Sequence, residues 1–306
     1  MKSTNTVQKE IARLFQIGKK QHLPYKCSNM AQTFMNLYLH NKHNLQNPFL
    51  NDIIVEYKRF GRICARYTPW VSIPIQGIWE LNVYFNKDGK LLSHNADEIV
   101  EIFRDNLVEM MELNPGKKIA LEFNSVLYAD NVGENGHSEV ILYDPAFNTV
   151  EYIDSNNLPK QCSRQDKEYF TWAQVRQETV CKIVSGLPSD PLFITNADIY
   201  GGYDWGIQSL EAASNLLTTD EKEGYCLMWS HLFGDLAMQF PDLSMKDIIS
   251  VIIKKASLRS VSVKYVNDYM LILIRGYVSD ISHVYGVDFT SIESLRDGCC
   301  RIAVKL

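Results

Sequence analysis

Three residues of this chain have the types and spacing needed to activate a thiol. Cys226 stands in "EGYCLMWSHLFGDLAMQF" (223–240), after Gly224 and Tyr225 and at the head of an apolar, helix-patterned run. A cysteine nucleophile needs a base to form the thiolate, a third group to orient the base, and donors for the developing oxyanion. A helix N-terminus favours the thiolate further, through its N–H groups and dipole. Gly224 lets the backbone turn sharply and approach a substrate closely. His137 opens the strand-like "HSEVILYD" (137–144), and Asp154 closes "TVEYID" (149–154). With "PAFN" as the turn, these segments read as a hairpin centred between 145 and 146, which makes 137 and 154 near cross-strand partners. One short hairpin would then hold a base beside its orienting acid. Asp144 belongs to the turn, Glu151 is a second choice of acid, and Asp154 also fits as an Asx cap of "DSNN". Gln208, in "DWGIQSLE" (204–211), offers an uncharged N–H for the oxyanion; backbone N–H groups near Cys226 are the alternative donors.

The elements that must position these groups follow from the hydrophobic pattern. Residues 5–17 and 28–39 read as amphipathic helices, the second capped by Ser28 or Asn29. Residues 52–86 suggest short strands and turns, ending in the hairpin "LNVYF-NKDG-KLL". "NADEIVEIFRDNLVEMMEL" (95–113) is a strong helix with Asn95 or Asp97 as cap. Residues 117–129 read as a strand, 155–200 as less regular, and helices are expected near 207–217, 226–239, 244–256 and 262–284. Helices, then strands, then helices argue for an α+β fold. A soft boundary near 115 divides a helix-rich N-terminal extension (1–115) from a catalytic domain (116–306).

Composition narrows the class. The chain has 306 residues, a net charge of −5 and 46% hydrophobic residues, which is ordinary for a globular protein able to bury a full core. No clustered basic surface marks a nucleic-acid partner. Seven cysteines at irregular spacing, with no CxxC, fit a reduced compartment better than a disulfide or zinc framework. The longest apolar run, "YMLILI" (269–274), is far too short to span a bilayer, and the N-terminus lacks a signal-peptide core. The expectation is a protein of the cytosol, with no membrane insertion.

The order His…Asp…Gln…Cys, carried by "GHSEVILYD", "TVEYID", "GIQSLE" and "GYCLMWSHLFGDLAMQFPDLS", resembles the clan of ubiquitin-like-protein (SUMO) proteases and the adenovirus protease. Within that clan it is most similar to thiol-protease-like proteins of large DNA viruses. The resemblance covers roughly residues 117–255. It implies a papain-like cysteine protease core, in which a small antiparallel sheet packs on a central helix that starts at the catalytic cysteine. It also implies His137 as general base, Asp154 as orienter, Cys226 as nucleophile and Gln208 at the oxyanion hole, with a viral polyprotein or a ubiquitin-like conjugate as substrate. A viral chain would work in the host cytosol or the virion. The sequence differs from the clan in two places. The clan sets its glutamine about six residues before the cysteine, whereas Gln208 lies 18 before Cys226, and an aromatic often follows the clan's histidine where this chain has Ser138.

Other readings stay open. Cys27, in "YKCSNMAQTFMNLYL", also heads a helix, and Cys27–His137–Asp154 is the chain order of papain- and transglutaminase-like enzymes. The same triad supports acetyl transfer onto proteins, although no basic cluster suited to CoA phosphates is evident. A binding or structural protein that retains the fold is the third class. Thiol chemistry of this kind needs no metal or organic cofactor; His40 and His43 have chelating spacing, but no carboxylate companion is evident in sequence. The substrate is a protein or peptide, and nothing in the sequence sets the oligomeric state.

Overall fold

The computed structural model describes residues 4–20, 28–46, 80–129, 133–156, 167–201, 206–217, 225–257 and 263–303. The residues of the expected 52–79 strands, Cys27 and Gly224 lie outside these. Six strands form one sheet: β1 (Glu80–Phe85), β2 (Leu91–His94), β3 (Ile119–Ala129), β4 (Gly133–Asp144), β5 (Thr149–Ile153) and β6 (Leu192–Ile194), in the order β2-β1-β3-β4-β5-β6. The sheet is mixed rather than small and antiparallel as expected, because β1 runs parallel to β3 and β6 parallel to β5. Residues on both sides of position 115 therefore share one sheet.

Alternation along β3, β4 and β5 sends side chains to two faces. Phe123, Ile141, Tyr143, Val150 and Tyr152 pack under α3 (Ala96–Leu113) and α4 (Lys167–Ser185). Val140, Leu142 and Ile153 face the opposite layer. That layer is built from α1 (Thr4–Gly18), α2 (Asn29–His43), α7 (Cys226–Gln239), α8 (Met245–Ser257), α9 (Val263–Tyr285) and α10 (Ile292–Ala303). Two short helices, α5 (Asn196–Tyr200) and α6 (Ile207–Ala212), follow β6. Ser28 caps α2 as expected, its hydroxyl accepting from Ala31 N–H at 3.1 Å. Asn95 precedes α3 but makes no cap bond; it ties that helix to β1 instead, its Oδ1 accepting from Asn82 N–H at 2.8 Å. α4 occupies part of the segment read as irregular, and α6 stops at Ala212, short of the expected 217.

The helix that carries Cys226 is the central one. Every residue from Cys226 to Ala237 is buried, which marks a helix enclosed on all sides. Its polar side chains each have a partner. Ser230 Oγ–H donates to Ser138 O at 2.8 Å, and Trp229 Nε1–H donates to Glu211 Oε2 at 2.5 Å. Asp235 meets His43 at 2.6 Å, Lys42 at 2.7 Å and the Tyr38 hydroxyl at 3.2 Å. His43 thus has a carboxylate companion that sequence spacing did not reveal, and with lysine beside it the group is an ion-pair cluster.

Small residues let α7 lie close on the sheet. A Cβ on Gly234 would stand 3.1 Å from Ala120 Cβ and 3.9 Å from Val140 Cγ2. We therefore expect Gly234→Val to lower stability by about 1–3 kcal/mol through overpacking. Gly234→Ala should change it by less than about 1 kcal/mol, since gained helix propensity offsets the tight contact. Chemical denaturation of the two variants beside the parent chain reads the difference.

Candidate active site

His137 and Asp154 are in contact, His137 Nε2 lying 2.7 Å from Asp154 Oδ1. The hairpin runs two residues out of the expected register. Asp144 pairs Thr149 and Val140 pairs Ile153, so continuing the ladder sets Glu139, rather than His137, level with Asp154. Positions 137 and 139 share a face, and His137 reaches Asp154 on the diagonal. Asp154 Oδ1 also accepts from Asn156 N–H at 2.7 Å, so the Asx turn and the contact with His137 coexist. Asn196 Oδ1 fixes the Asp154 backbone, accepting its N–H at 2.9 Å.

Sequence reasoning missed the cation of the site. Arg176, on α4, sets Nη2 at 3.2 Å from Asp154 Oδ2 and Nη1 at 2.6 Å from Glu139 Oε1. Its side chain is 2% exposed and that of Glu139 0%. Trp172, one turn earlier on α4, lies under both: the guanidinium sits 4.5 Å from its ring centroid, and the His137 ring meets it edge-on at 6.1 Å. The one sequence signal was Glu139 itself, a charge two residues after His137 on a strand otherwise turned inward. His137, Glu139 and Asp154 offer ligand atoms within 4.8 Å of one another, as a metal site requires. Arg176 already supplies the positive charge between the two carboxyls, so this donor set does not fit a cation.

The electrostatics follow from burial against pairing. Burial by itself raises the Asp154 carboxyl, yet the charges of His137 and Arg176 and the bonds to them hold it well below the ordinary value. Burial lowers His137 more than Asp154 raises it, which leaves a neutral imidazole at neutral pH. Burial pushes Glu139 up to about 8 against the pull of Arg176.

Cys226 heads α7 on the other side of the sheet, buried, with the helix ladder starting from Trp229 N–H to Tyr225 O at 2.9 Å. Gly234 lies at the level of Val140, and Ser230 at that of Ser138. Four helical residues advance about 6 Å and two strand residues about 6.8 Å, so the steps match. Extended by one more step, the same spacing sets Cys226 at the level of Gly136, on the face of the sheet opposite to His137. A Cβ on Gly136 would meet nothing within 4 Å among the described residues, so this level is open. Charge on Cys226 raises the Arg176 guanidinium, so thiol and cluster act on each other electrically. The β4–β5 ladder ends at Val140, and among the described residues no strand pairs the β4 edge from 137 to 139 on that side.

Gln208 lies beside Asp154 through its neighbour. Gln208 N–H donates to Ser155 O at 2.9 Å, and Ser155 Oγ–H donates to Gln208 Oε1 at 2.9 Å. Gly206 permits this approach, because a Cβ there would stand 2.2 Å from Ser155 O. Glu211 then ties the same short helix to Trp229 of α7. Asp144 serves the turn, accepting from Ala146 N–H at 3.0 Å and pairing Lys118 at 2.7 Å. Glu151 accepts from Met245 N–H at 3.2 Å on the α7 side of the sheet, and so caps α8 instead of meeting His137.

Fold and site together define an α+β protein with a buried His–Asp–Arg–Glu cluster on one face of the sheet and a helix-head cysteine on the other. No family model matches the chain, and no curated protein matches it. Among solved structures it is similar to the Legionella pneumophila effector protein RavZ, residues 1–487, at 12% identity and a TM-score of 0.34, over 73% of this chain and 54% of that one. A second RavZ structure matches at 11% identity and a TM-score of 0.27, over 72% and 74%. The chain thus spans about half the length of the first RavZ structure. Likenesses this loose define neither the fold nor the chemistry. Among the described residues no helix is long and apolar enough to cross a membrane.

Arg176→Met would leave two buried carboxyls without their cation, and we expect it to cost about 3–5 kcal/mol. Asp154 also sets an acid dependence. Its folded pKa is depressed, so its contribution is complete above the unfolded value of about 3.9 and is lost as pH falls through the folded value. Acidification below about pH 4 should therefore reduce the stability of the parent chain more steeply than that of Asp154→Asn. Urea titrations across that range measure both effects.

Proposed function

We propose that this chain is a cysteine protease that hydrolyses peptide or isopeptide bonds in a protein substrate. Cys226 is the nucleophile, His137 the general base, Asp154 its orienter and Gln208 an oxyanion donor. The core is papain-like, as in the ubiquitin-like-protein protease clan that the motifs resemble. The observation that carries this reading is the buried 2.7 Å contact of His137 with Asp154, on the strand against which the Cys226 helix lies.

The chemistry follows from which atoms are committed. His137 Nε2 is held by Asp154, so Nδ1 is the nitrogen that takes the Cys226 proton, across the open β4 edge. The S–H bond breaks and an N–H bond forms, giving thiolate and imidazolium. The thiolate attacks the carbonyl carbon in the open level over Gly136. The Gln208 amide and the N–H groups at the head of α7 hold the oxyanion. The C–N bond then breaks as the imidazolium protonates the leaving amine. Water, deprotonated by His137, attacks the thioester and frees Cys226.

Labelling with a cysteine-reactive ubiquitin or SUMO probe, and turnover of a peptide library, test this directly. Cys226→Ala and His137→Ala should each lower turnover by about a thousandfold or more, with the fold intact by circular dichroism. Loss of labelling in Cys27→Ala, with labelling kept in Cys226→Ala, would move the nucleophile to Cys27 and end this assignment.

A further inference from the structure

His137 faces two carboxyls, and the triad uses one. Glu139 Oε1 lies 3.8 Å from His137 Nε2, with the Glu139 side chain fully enclosed. Arg176 Nη1 stands 2.6 Å from Glu139 Oε1, and the Tyr152 and Asp154 side chains also reach the Glu139 carboxyl. The groups that face Glu139 come from every neighbouring element. They are His137 on its own strand, Tyr152 on β5, Asp154 just beyond β5, and Arg176 on α4. Cys226 joins this set through Arg176.

We infer that Glu139 is a positioning residue for the base, a buried second carboxyl that shares one titrating proton with His137 and supplies the negative charge opposite the imidazolium. The inference rests on the reading of His137 as general base. Charge balance in the enclosed cluster carries it. Asp154 carboxylate and Arg176 guanidinium cancel. What remains is one imidazole and one carboxyl 3.8 Å apart, and that pair is neutral overall either as imidazole with carboxylic acid or as imidazolium with carboxylate. Two interacting sites of this kind titrate as a pair. Burial moves Glu139 upward and His137 downward, so it disfavours the charged form of each. Arg176 spans Asp154 and Glu139, and so keeps both carboxyls on the His137 side of α4.

The pairing is tested by NMR titration of the full-length Cys226→Ala chain, labelled at histidine Cε1 and glutamate Cδ. The two signals are assigned by their loss in His137→Gln and Glu139→Gln. In the parent background, the Glu139 carboxyl and the His137 ring should each report the same two titration steps. In Glu139→Gln, His137 should titrate in one step, lower by about 1–3 pH units, because the charge that favours its protonated form is gone. In the chain that keeps Cys226, Glu139→Gln should shift the acid limb of kcat/KM to lower pH, because His137 must be unprotonated to act as base. A Glu139 carboxyl that titrates in one ordinary step near 4–5, with no echo in His137, overturns the inference. A His137 titration unmoved by Glu139→Gln overturns it too. The titrations involve no turnover, so their outcome is separate from that of Cys226→Ala in the labelling assay.

Discussion

Arg176 is the constraint around which the rest is arranged. A guanidinium with 2% exposure must be surrounded by negative charge, and here Glu139 on β4 and Asp154 just beyond β5 provide it. To bring both there, β4 must send 137 and 139 to the α4 face, and β5 must end where Asp154 can turn under α4. Trp172 fills the remaining side. The orientation of the His137 ring is a consequence of this packing. Removing a surface residue leaves such a cluster untouched, whereas a change in α4 alters the surroundings of His137 without touching it.

The other half of the site is set by spacing. α7 runs in the same direction as β4 with Ser230 and Gly234 toward the strand, and helix and strand advance by nearly equal steps per contact. This commensurate fit fixes the level of Cys226 at the end of the sheet. Trp229, bonded to Glu211, fixes its rotation and links it to the short helix that carries Gln208. Cys226, His137 and Gln208 thus sit on three elements, α7, β4 and α6, joined by buried polar bonds.

Much of this was legible in the sequence because it is local. The Ser28 cap, the 95–113 helix, the β4–β5 hairpin and the Cys226 helix all follow from patterns within a few residues. What was not legible is long-range or deliberately off-pattern. The parallel pairings of β1 with β3 and β5 with β6 leave no local trace. The hairpin register moved because Pro145 to Asn148 form a four-residue turn closed by Asp144 and Thr149, with Asn148 at a φ of 49°. α4 was missed for a chemical reason. Its inward positions include Glu168, Arg176 and Thr179, and these polar residues, Arg176 of the site among them, break the apolar period that marks a helix. Glu151 looked like an acid for His137, but alternation puts it on the opposite face, where it caps α8.

The central claim is that His137 activates Cys226. The most direct measurement is the rate of Cys226 alkylation by a small neutral electrophile as a function of pH, with the adduct located by mass spectrometry, in the parent chain and in His137→Ala. The account predicts that the parent chain reacts through a thiolate–imidazolium pair well below the ordinary thiol pKa of about 8.5. His137→Ala should lose that low-pH reactivity and follow a simple thiol curve. Identical profiles in the two proteins would contradict it.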